Sequence, residues 1–204
     1  MTTLPLFPLN TVLFPDGFLP LQVFEVRYLD MIKGCIADGQ PFGVVPLLAG
    51  DEVRKPGVRE TLGQAGTLAR IVEWSAPHTG LLHVRCIGGT RFRLRSSMQL
   101  RHGLWMAEVE ALAPDQALPV PPEQRNVADA LGKFIHSLQV QGIPAGEMPM
   151  AAPFRLADCG WVANRWCELL PLGVEEKLRL LCQESPVLRL ELIADVLLEN
   201  GMLD

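Results

Sequence analysis

The residues best able to do chemistry in this sequence are basic side chains grouped in its middle, within a chain whose formal net charge is −5. A local basic patch can bind RNA through phosphate groups even when the whole protein is acidic. The group consists of Arg85, Arg91, Arg93, Arg95, Arg101 and His102. One hypothesis is therefore an RNA-binding strand that uses the arginines at 91, 93 and 95.

The same spacing also has a purely structural interpretation. In a β-strand these three arginines project to one face, while Phe92 and Leu94 project to the other. Glu108 and Glu110 project to the same face of the next predicted strand and can form cross-strand pairs with the arginines. The acidic net charge and the lack of an aromatic stacking platform favour this interpretation. Nucleic acid is therefore not the expected partner.

No residue pattern typical of an enzyme active site is recognisable. The sequence has no G-x-S-x-G elbow, no G-x-x-x-x-G-K-[ST] phosphate loop and no HExxH spacing among its four histidines. The five cysteines are an odd number without a CxxC pair, which fits neither a disulfide framework nor a zinc site. We expect no catalytic residue, no cofactor and no metal site. An uncharacterised hydrolase with convergent geometry is the alternative left open.

Short apolar runs separated by Gly and Pro dominate the first half and predict β-strands. A helix is predicted over residues 25–38, because apolar side chains such as Tyr28 and Ile32 share one stripe and Gly39 fits a C-cap. The strands are predicted at residues 4–14, 18–23, 42–48, 66–74, 81–88, 90–96 and 104–112. This pattern favours a closed or nearly closed barrel with one packed helix. The charged segment 51–64 is predicted to be an exposed, mobile loop.

The second half contains longer segments with helical spacing and predicts a helical bundle. The helices are predicted at residues 123–141, 154–170, 175–184 and 186–200, with Ser185 as N-cap of the last. A proline-rich connector at 113–122 divides the chain into subdomains 1–115 and 116–204. The fold class is therefore α+β. Segment 142–153 carries Met148 and Met150 and is predicted to pack on the bundle or to contact a partner.

No targeting or membrane segment is recognisable either. The N-terminus lacks a basic n-region, and prolines interrupt its apolar residues. No apolar run approaches the roughly 20 residues that a membrane-spanning helix needs. We expect a cytoplasmic protein that does not enter a membrane.

Proline-flanked apolar residues at the N-terminus form a recognisable signature. It runs Leu4-Pro5-Leu6-Phe7-Pro8-Leu9, Val12-Leu13-Phe14-Pro15, Leu19-Pro20-Leu21, and Phe24-Glu25 with Arg27-Tyr28. Further matches follow at Phe42-Gly43-Val44-Val45, Gly66-Thr67-Leu68-Ala69, Arg91-Phe92-Arg93, Leu156-Ala157-Asp158 and Leu170-Pro171-Leu172. Along almost its whole length the chain resembles the substrate-binding domain family found at the N-terminus of bacterial Lon proteases.

This resemblance implies an N-terminal PUA-like pseudo β-barrel with one packed helix, followed by a C-terminal helical bundle. It also implies a proteolysis-associated module without ATPase or peptidase activity, acting as an adaptor or regulator. The implied partners are unfolded or partly folded polypeptides, or a protein partner. Such a binding module is the function that we expect.

We place the polypeptide-binding site around Phe14, Phe18, Glu25 and Arg27. A turn lies between the two phenylalanines, which favours at least one aromatic anchor near the loop tip. Glu25 and Arg27 would supply a polar rim, although their charges can also pair with each other.

Overall fold

A β-rich first half is followed by a helical second half in the computed structural model, which describes residues 2–53 and 57–203. The strands are β1 Thr2–Leu9, β2 Phe18–Val23, β3 Phe42–Ala49, β4 Thr61–Leu62, β5 Ala65–His78, β6 Leu81–Gln99 and β7 Trp105–Ala111. The helices are α1 Val26–Asp38, α2 Arg125–Val140, α3 Cys159–Leu169, α4 Val174–Cys182 and α5 Pro186–Glu199, with a 3-10 turn at Pro122–Gln124 before α2. The predicted mixture of a β-rich half and a helical half is confirmed.

Five of the strands form a closed ring in which each strand is hydrogen-bonded to the next. The order is β1-β7-β6-β5-β3, and β3 pairs back onto β1. β1 pairs antiparallel with β7 through residues 2–6 and parallel with β3 through residues 6–9. Among the described residues, each half of β1 therefore has one unpaired side, which is where a proline's missing N–H is tolerated. Pro5 lies in the first half and Pro8 in the second.

The first strand is shorter than predicted, and the fifth and sixth predicted strands are a single strand. β1 ends at Leu9, and the next buried apolar residues, among them Phe14, lie outside any strand. β6 continues through Gly88 and Gly89, pairing with β2 before them and with β7 after them. The backbone at Phe14 passes very close to β6 here. A Cβ on Gly88 would lie only 2.1 Å from the carbonyl oxygen of Phe14. The glycines therefore mark a close approach of two backbones and not a chain reversal.

Helix ends follow the capping rules with one correction. Gly39 ends α1 with φ of 63°, and the Ser185 hydroxyl accepts a hydrogen bond from the Leu188 N–H at 3.3 Å, as expected. The predicted start of the third helix at Phe154 is wrong. α3 begins at Cys159, because the Asp158 carboxylate caps it by accepting from the Trp161 N–H at 3.1 Å.

The segment 51–64 is not an exposed loop throughout, and its residues 54–56 lie outside the described part of the chain. It contains β4, and the Glu60 side chain is only 7% exposed. Glu60 accepts hydrogen bonds from the indole N–H of Trp105 and from the Gln99 amide at 3.2 Å. The prediction of an exposed loop holds for most of residues 57–64, five of which are exposed, and is wrong for Glu60 and for the strand β4.

The helical half packs around α3, which contacts α2, α4 and α5. Met148 and Met150 of segment 142–153 are buried in the same apolar cluster, so the alternative in which this segment packs on the helices is the observed one. Flexible Met side chains suit such irregular gaps.

A buried charge cluster joins the two halves of the chain. Asp115 accepts from Arg91 of β6 at 2.7 Å and from Arg189 of α5 at 2.6 Å. The Arg91 guanidinium also donates to the carbonyl of Leu181 at 2.8 Å, and Arg189 donates to the Asn164 amide oxygen at 2.9 Å. Burial lowers the pKa of Arg91, with a further lowering from the nearby Arg189 charge. One carboxylate thus compensates two arginines that are removed from water.

Candidate functional site

β2 is an edge strand beside the closed ring. It pairs antiparallel with the first half of β6, and within residues 2–53 and 57–203 no strand pairs with its other side. Edge strands present unpaired N–H and C=O groups that can template another extended chain. Pro20, in the middle of β2, removes one donor and limits the pairing that this edge supports. β2 therefore offers a short row of backbone hydrogen-bonding groups.

An apolar groove runs along this strand, which we call the β2 groove. Its volume is about 290 Å³, and its lining includes Phe7, Leu9, Leu19, Leu21 and Tyr28. The ring of Phe7 stacks on that of Tyr28 with centroids 4.0 Å apart, which gives the groove a rigid aromatic wall. A groove near the lower end of the ~300–1,000 Å³ range of small-molecule sites has room for a few amino-acid side chains.

Two exposed apolar side chains line the β2 groove, Phe24 at 55% and Val53 at 48% exposure. Val26, 72% exposed, follows the lining residue Glu25 in sequence. Exposed apolar surface rimmed by polar groups is typical of an interaction site. The polar rim here includes Glu25 and Glu52.

Arg27 lies behind the groove and has a structural role. Its guanidinium donates to Glu25 at 3.2 Å and to the Gly103 carbonyl at 2.7 Å, and it lies 3.5 Å from a Glu60 oxygen. The predicted alternative of an Arg27–Glu25 pair is therefore what the structure shows. Burial raises the pKa of the Tyr28 hydroxyl, so Tyr28 carries no charge near neutral pH.

The two phenylalanines predicted for the site have different environments. Phe14 is 0% exposed and packs in the helical core, so its ring has no surface to offer a partner. Phe18 is partly buried at the start of β2, with the Arg85 guanidinium 4.6 Å from its ring centroid. Of the four predicted residues, Glu25 lines the groove, Phe18 begins its strand, Arg27 supports it from behind and Phe14 lies in the helical core.

Sequence reasoning missed Phe24, Val26 and Val53. Phe24 precedes the N-cap residue of α1, a position where an apolar side chain often packs against the first turn as a hydrophobic staple. Val26 lies off the apolar stripe of α1, which is the one signal that could have indicated an exposed position.

A second groove lies on the outer face of the sheet beside β2. Its volume is about 330 Å³, and it is lined by Pro20, Gln22, Trp74, His83 and Arg85 among others. Arg85 is held by Glu73 at 3.0 Å and by the Gly146 carbonyl at 2.6 Å. The segment 142–153 therefore helps to position a wall of this groove.

The arginines at 91, 93 and 95 do not form a continuous basic stripe. Arg91 is buried against Asp115, so the predicted cross-strand Glu partner is wrong for this residue. Arg95 does pair with Glu110 across the strands, at an exposed position. Arg93 is exposed and lies opposite Glu110 in the register, which shifts just beyond, between Leu94 and Ser96. The sheet thus leaves two exposed arginines beside a carboxylate.

RNA binding is expected to be weak because the exposed arginines lie next to Glu110. In filter binding with a single-stranded RNA, we expect no tight complex near physiological salt. The double substitution Arg93→Ala and Arg95→Ala should change the binding curve by less than about twofold. Tight binding with a steep salt dependence that this variant loses would contradict the expectation.

Groups for metal or nucleophilic chemistry do not converge in the described ranges. No cluster of three or more His, Cys, Asp or Glu side chains there could hold a metal ion. Burial raises the pKa of the Cys86 and Cys167 thiols to about 12, so these groups stay protonated and unreactive near neutral pH.

For the described ranges, no helix combines the length and apolar character that crossing a bilayer requires.

Comparison with known proteins places this geometry in a family. The chain has 33% sequence identity to the crystal structure of a Lon N-terminal domain protein from Xanthomonas campestris, with a TM-score of 0.75 over 96% of this chain and 98% of that one. The N-terminal domain of the Mycobacterium avium complex Lon protease shares the fold at 16% identity, with a TM-score of 0.63 over 95% of this chain and 97% of that one.

Two full-length proteases are also similar. The Lon protease of Anaeromyxobacter dehalogenans (strain 2CP-C) is 28% identical over 95% of this chain, which spans 23% of that protein. Lon protease 2 of Myxococcus xanthus is 42% identical over 34% of this chain, which corresponds to 8% of that protein. The sequence model of the ATP-dependent protease La (LON) substrate-binding domain matches residues 3–199. The chain therefore belongs to the Lon substrate-binding domain family.

Proposed function

We propose that this protein binds extended, apolar segments of unfolded polypeptides along the free edge of β2. The observation that carries the proposal is the unpaired β2 edge beside the apolar β2 groove, which the exposed side chains of Phe24 and Val53 line. An added strand would take its affinity from main-chain hydrogen bonds and its preference from side chains that enter the groove.

Membership of a substrate-binding domain family supports polypeptides as the ligand class. Within this proposal the β-rich half is a PUA-like pseudo-barrel spanning residues 1–115, and the helical bundle spans 116–204. The module acts as a cytoplasmic adaptor or regulator in proteolysis and has no ATPase or peptidase activity of its own. The buried position of Arg91 gives no support to RNA as the ligand.

Phe18 and Glu25 remain part of the proposed site. Glu25 lines the β2 groove, and Phe18 sets the start of the strand that a ligand would extend. Arg27 contributes by holding Glu25 and Glu60 in place.

The proposal predicts that Phe24→Ser weakens polypeptide binding by about tenfold, because an exposed aromatic anchor contributes about 1.4 kcal/mol or more when a ligand covers it. Fluorescence anisotropy with labelled, reduced and carboxymethylated α-lactalbumin measures the affinity. Val140→Ser is the matched control, because Val140 is 72% exposed on α2 and lies outside the β2 groove. Equal affinities of the two variants would contradict this placement of the site.

A second experiment tests the added strand itself. An apolar peptide is compared with the same peptide carrying N-methyl groups at alternate backbone amides, which removes hydrogen-bond donors on one edge without removing side chains. N-methylation of one alternate set of amides should abolish binding, and N-methylation of the other set should leave binding nearly intact. Equal binding by all three peptides would exclude strand addition.

A further inference from the structure

The turn at residues 14–17 leads directly into β2 and is held by α3. Arg165 of α3 donates to two backbone carbonyls of the turn, that of Pro15 at 2.7 Å and that of Asp16. A neighbouring carboxylate, Glu168, accepts a hydrogen bond from the Phe14 N–H at 3.2 Å. Arg165 and Glu168 also pair with each other at 3.1 Å, so the turn is held by a cation and an anion together.

The fit between the turn and α3 is close. A Cβ on Gly17 would lie 1.9 Å from the Glu168 carboxylate oxygen and 2.8 Å from the backbone carbonyl oxygen of Phe14, so a larger residue would displace both the carboxylate and the turn. Asp16 has φ of 60°, a left-handed conformation that Asp tolerates better than most residues. An exposed ion pair of Asp16 with Arg155 adds a further link from the turn to the helical half.

The other side of the turn is bonded to the sheet. The Asp16 N–H donates to the Gly88 carbonyl at 2.8 Å, and the Gly88 N–H donates to the Gly17 carbonyl at 2.9 Å. Phe18, the first residue of β2, pairs with Ile87 immediately before this point. A shift of the turn therefore moves the start of the edge strand.

We infer that Arg165 and Glu168 are positioning residues that fix the start of β2 and make the strength of polypeptide binding depend on pH near neutrality. This inference rests on the proposed function of the β2 edge. A fixed edge binds an extended segment better than a mobile one, because less conformational freedom is lost on binding.

The charges that face Glu168 come from three elements. Arg165 lies on its own helix, Asp16 lies in the turn, and Lys177 of α4 donates to the Glu168 backbone carbonyl at 3.1 Å. Burial raises the pKa of the Glu168 carboxyl to about 7, against the opposing effects of Arg165, the Phe14 N–H and Lys177. A small change in pH near neutrality therefore alters the ionised fraction of the Glu168 carboxyl.

The turn contacts the Glu168 carboxyl through the Phe14 N–H and Gly17 and so contributes to its burial, which raises its pKa. Opening of the turn returns the carboxyl to water, where its pKa is lower, so the protonated acid favours the closed turn. The turn should therefore be fixed below pH 7 and loosen as the pH rises through about 7. Global stability changes in the same direction, because the folded chain keeps this proton to a higher pH than the unfolded chain. Hydrogen exchange of the turn itself separates the local effect from the global one.

The experiment compares the wild type with Glu168→Gln, which keeps the acceptor for the Phe14 N–H but removes the charge. Amide hydrogen exchange of residues 14–23 is measured without ligand from about pH 5.5 to about pH 8.5, corrected for intrinsic exchange rates. Polypeptide affinity is measured over the same range with labelled, carboxymethylated α-lactalbumin. Glu191→Gln, a charge removal at an exposed position of α5, is the matched control.

In the wild type and in Glu191→Gln we expect protection of residues 14–23 and polypeptide affinity to fall together by about fivefold as pH increases through 7. Glu168→Gln should show neither change. Gly17→Ala, which forces the turn away from Glu168, should show low protection at every pH. The same pH profile in the wild type and in Glu168→Gln would overturn the inference.

The two proposals fail in different ways. If no variant binds the polypeptide while exchange of residues 14–23 still follows Glu168, the binding site is wrong and the positioning role stands. If polypeptide binding is tight but neither exchange nor affinity changes with pH, the β2 site stands and the positioning role is wrong.

Discussion

Replacing Asp115 with alanine is expected to lower the free energy of unfolding by about 3–5 kcal/mol. Asp115 is the carboxylate within reach of both Arg91 and Arg189, which are 4% and 0% exposed. Its loss leaves two buried guanidinium groups with carbonyl acceptors and without an anion. Because native domains are stable by only about 5–15 kcal/mol, this change should be visible as a large drop in the urea midpoint.

The exposed Arg95–Glu110 pair provides the matched control. Both of its side chains are nearly half exposed, so Glu110→Ala removes a carboxylate from an arginine without leaving a buried charge. Its cost should be within about 0.2–1 kcal/mol. Asp115→Asn should fall between the two, since the amide oxygen still accepts one hydrogen bond. Equal costs for Asp115→Ala and Glu110→Ala would show that the junction cluster does not hold the two halves together.

The fold could be predicted from the sequence where local rules act alone. Proline and glycine separate the apolar runs of the first half, and helical spacing with caps at Gly39 and Ser185 defines two of the helix ends. The continuity of β6 could not be predicted. Gly88 and Gly89 look like a turn, and the backbone that crosses them comes from residues far away in the sequence.

The candidate site was only partly accessible to sequence reasoning. Glu25 was proposed from the family-like signature, and Phe18 was proposed from the turn that precedes it. In the structure, Glu25 lines the β2 groove and Phe18 begins β2. The exposure of Phe24 depends on β2 leaving the closed ring, which is a property of strand pairing and not of local pattern. Arg91 obeys the alternation of side chains along its strand, but it lies at the junction between the two halves of the chain. The alternation gives no information about that junction.

A small apolar cluster formed by the closed strands has one aromatic ring among its buried members. Phe92 of β6 is 1% exposed and packs with Leu6 of β1, Val45 of β3 and Val109 of β7. The ring also meets a glycine backbone, because a Cβ on Gly43 would lie 2.9 Å from its Cζ atom. The strands can approach here because Gly43 has no side chain.

Phe92→Ala is therefore expected to cost about 3–5 kcal/mol, since it leaves a cavity in a closed ring that cannot easily collapse. Urea unfolding followed by far-UV circular dichroism measures it, and Phe24→Ala, at a 55% exposed aromatic, should stay within about 0.5 kcal/mol of the wild type. A second substitution tests the fit between the ring and the glycine. Gly43→Ala alone should lower the free energy of unfolding by about 1–3 kcal/mol through overpacking. In the Phe92→Ala background it should cost less, because Leu4 and Leu6, whose Cδ atoms would lie 2.6 Å from the added Cβ, can then move into the vacated space. The resulting coupling energy of about 0.5 kcal/mol or more would show that ring and glycine fit each other. Additive costs would mean instead that the strands relax independently around each site.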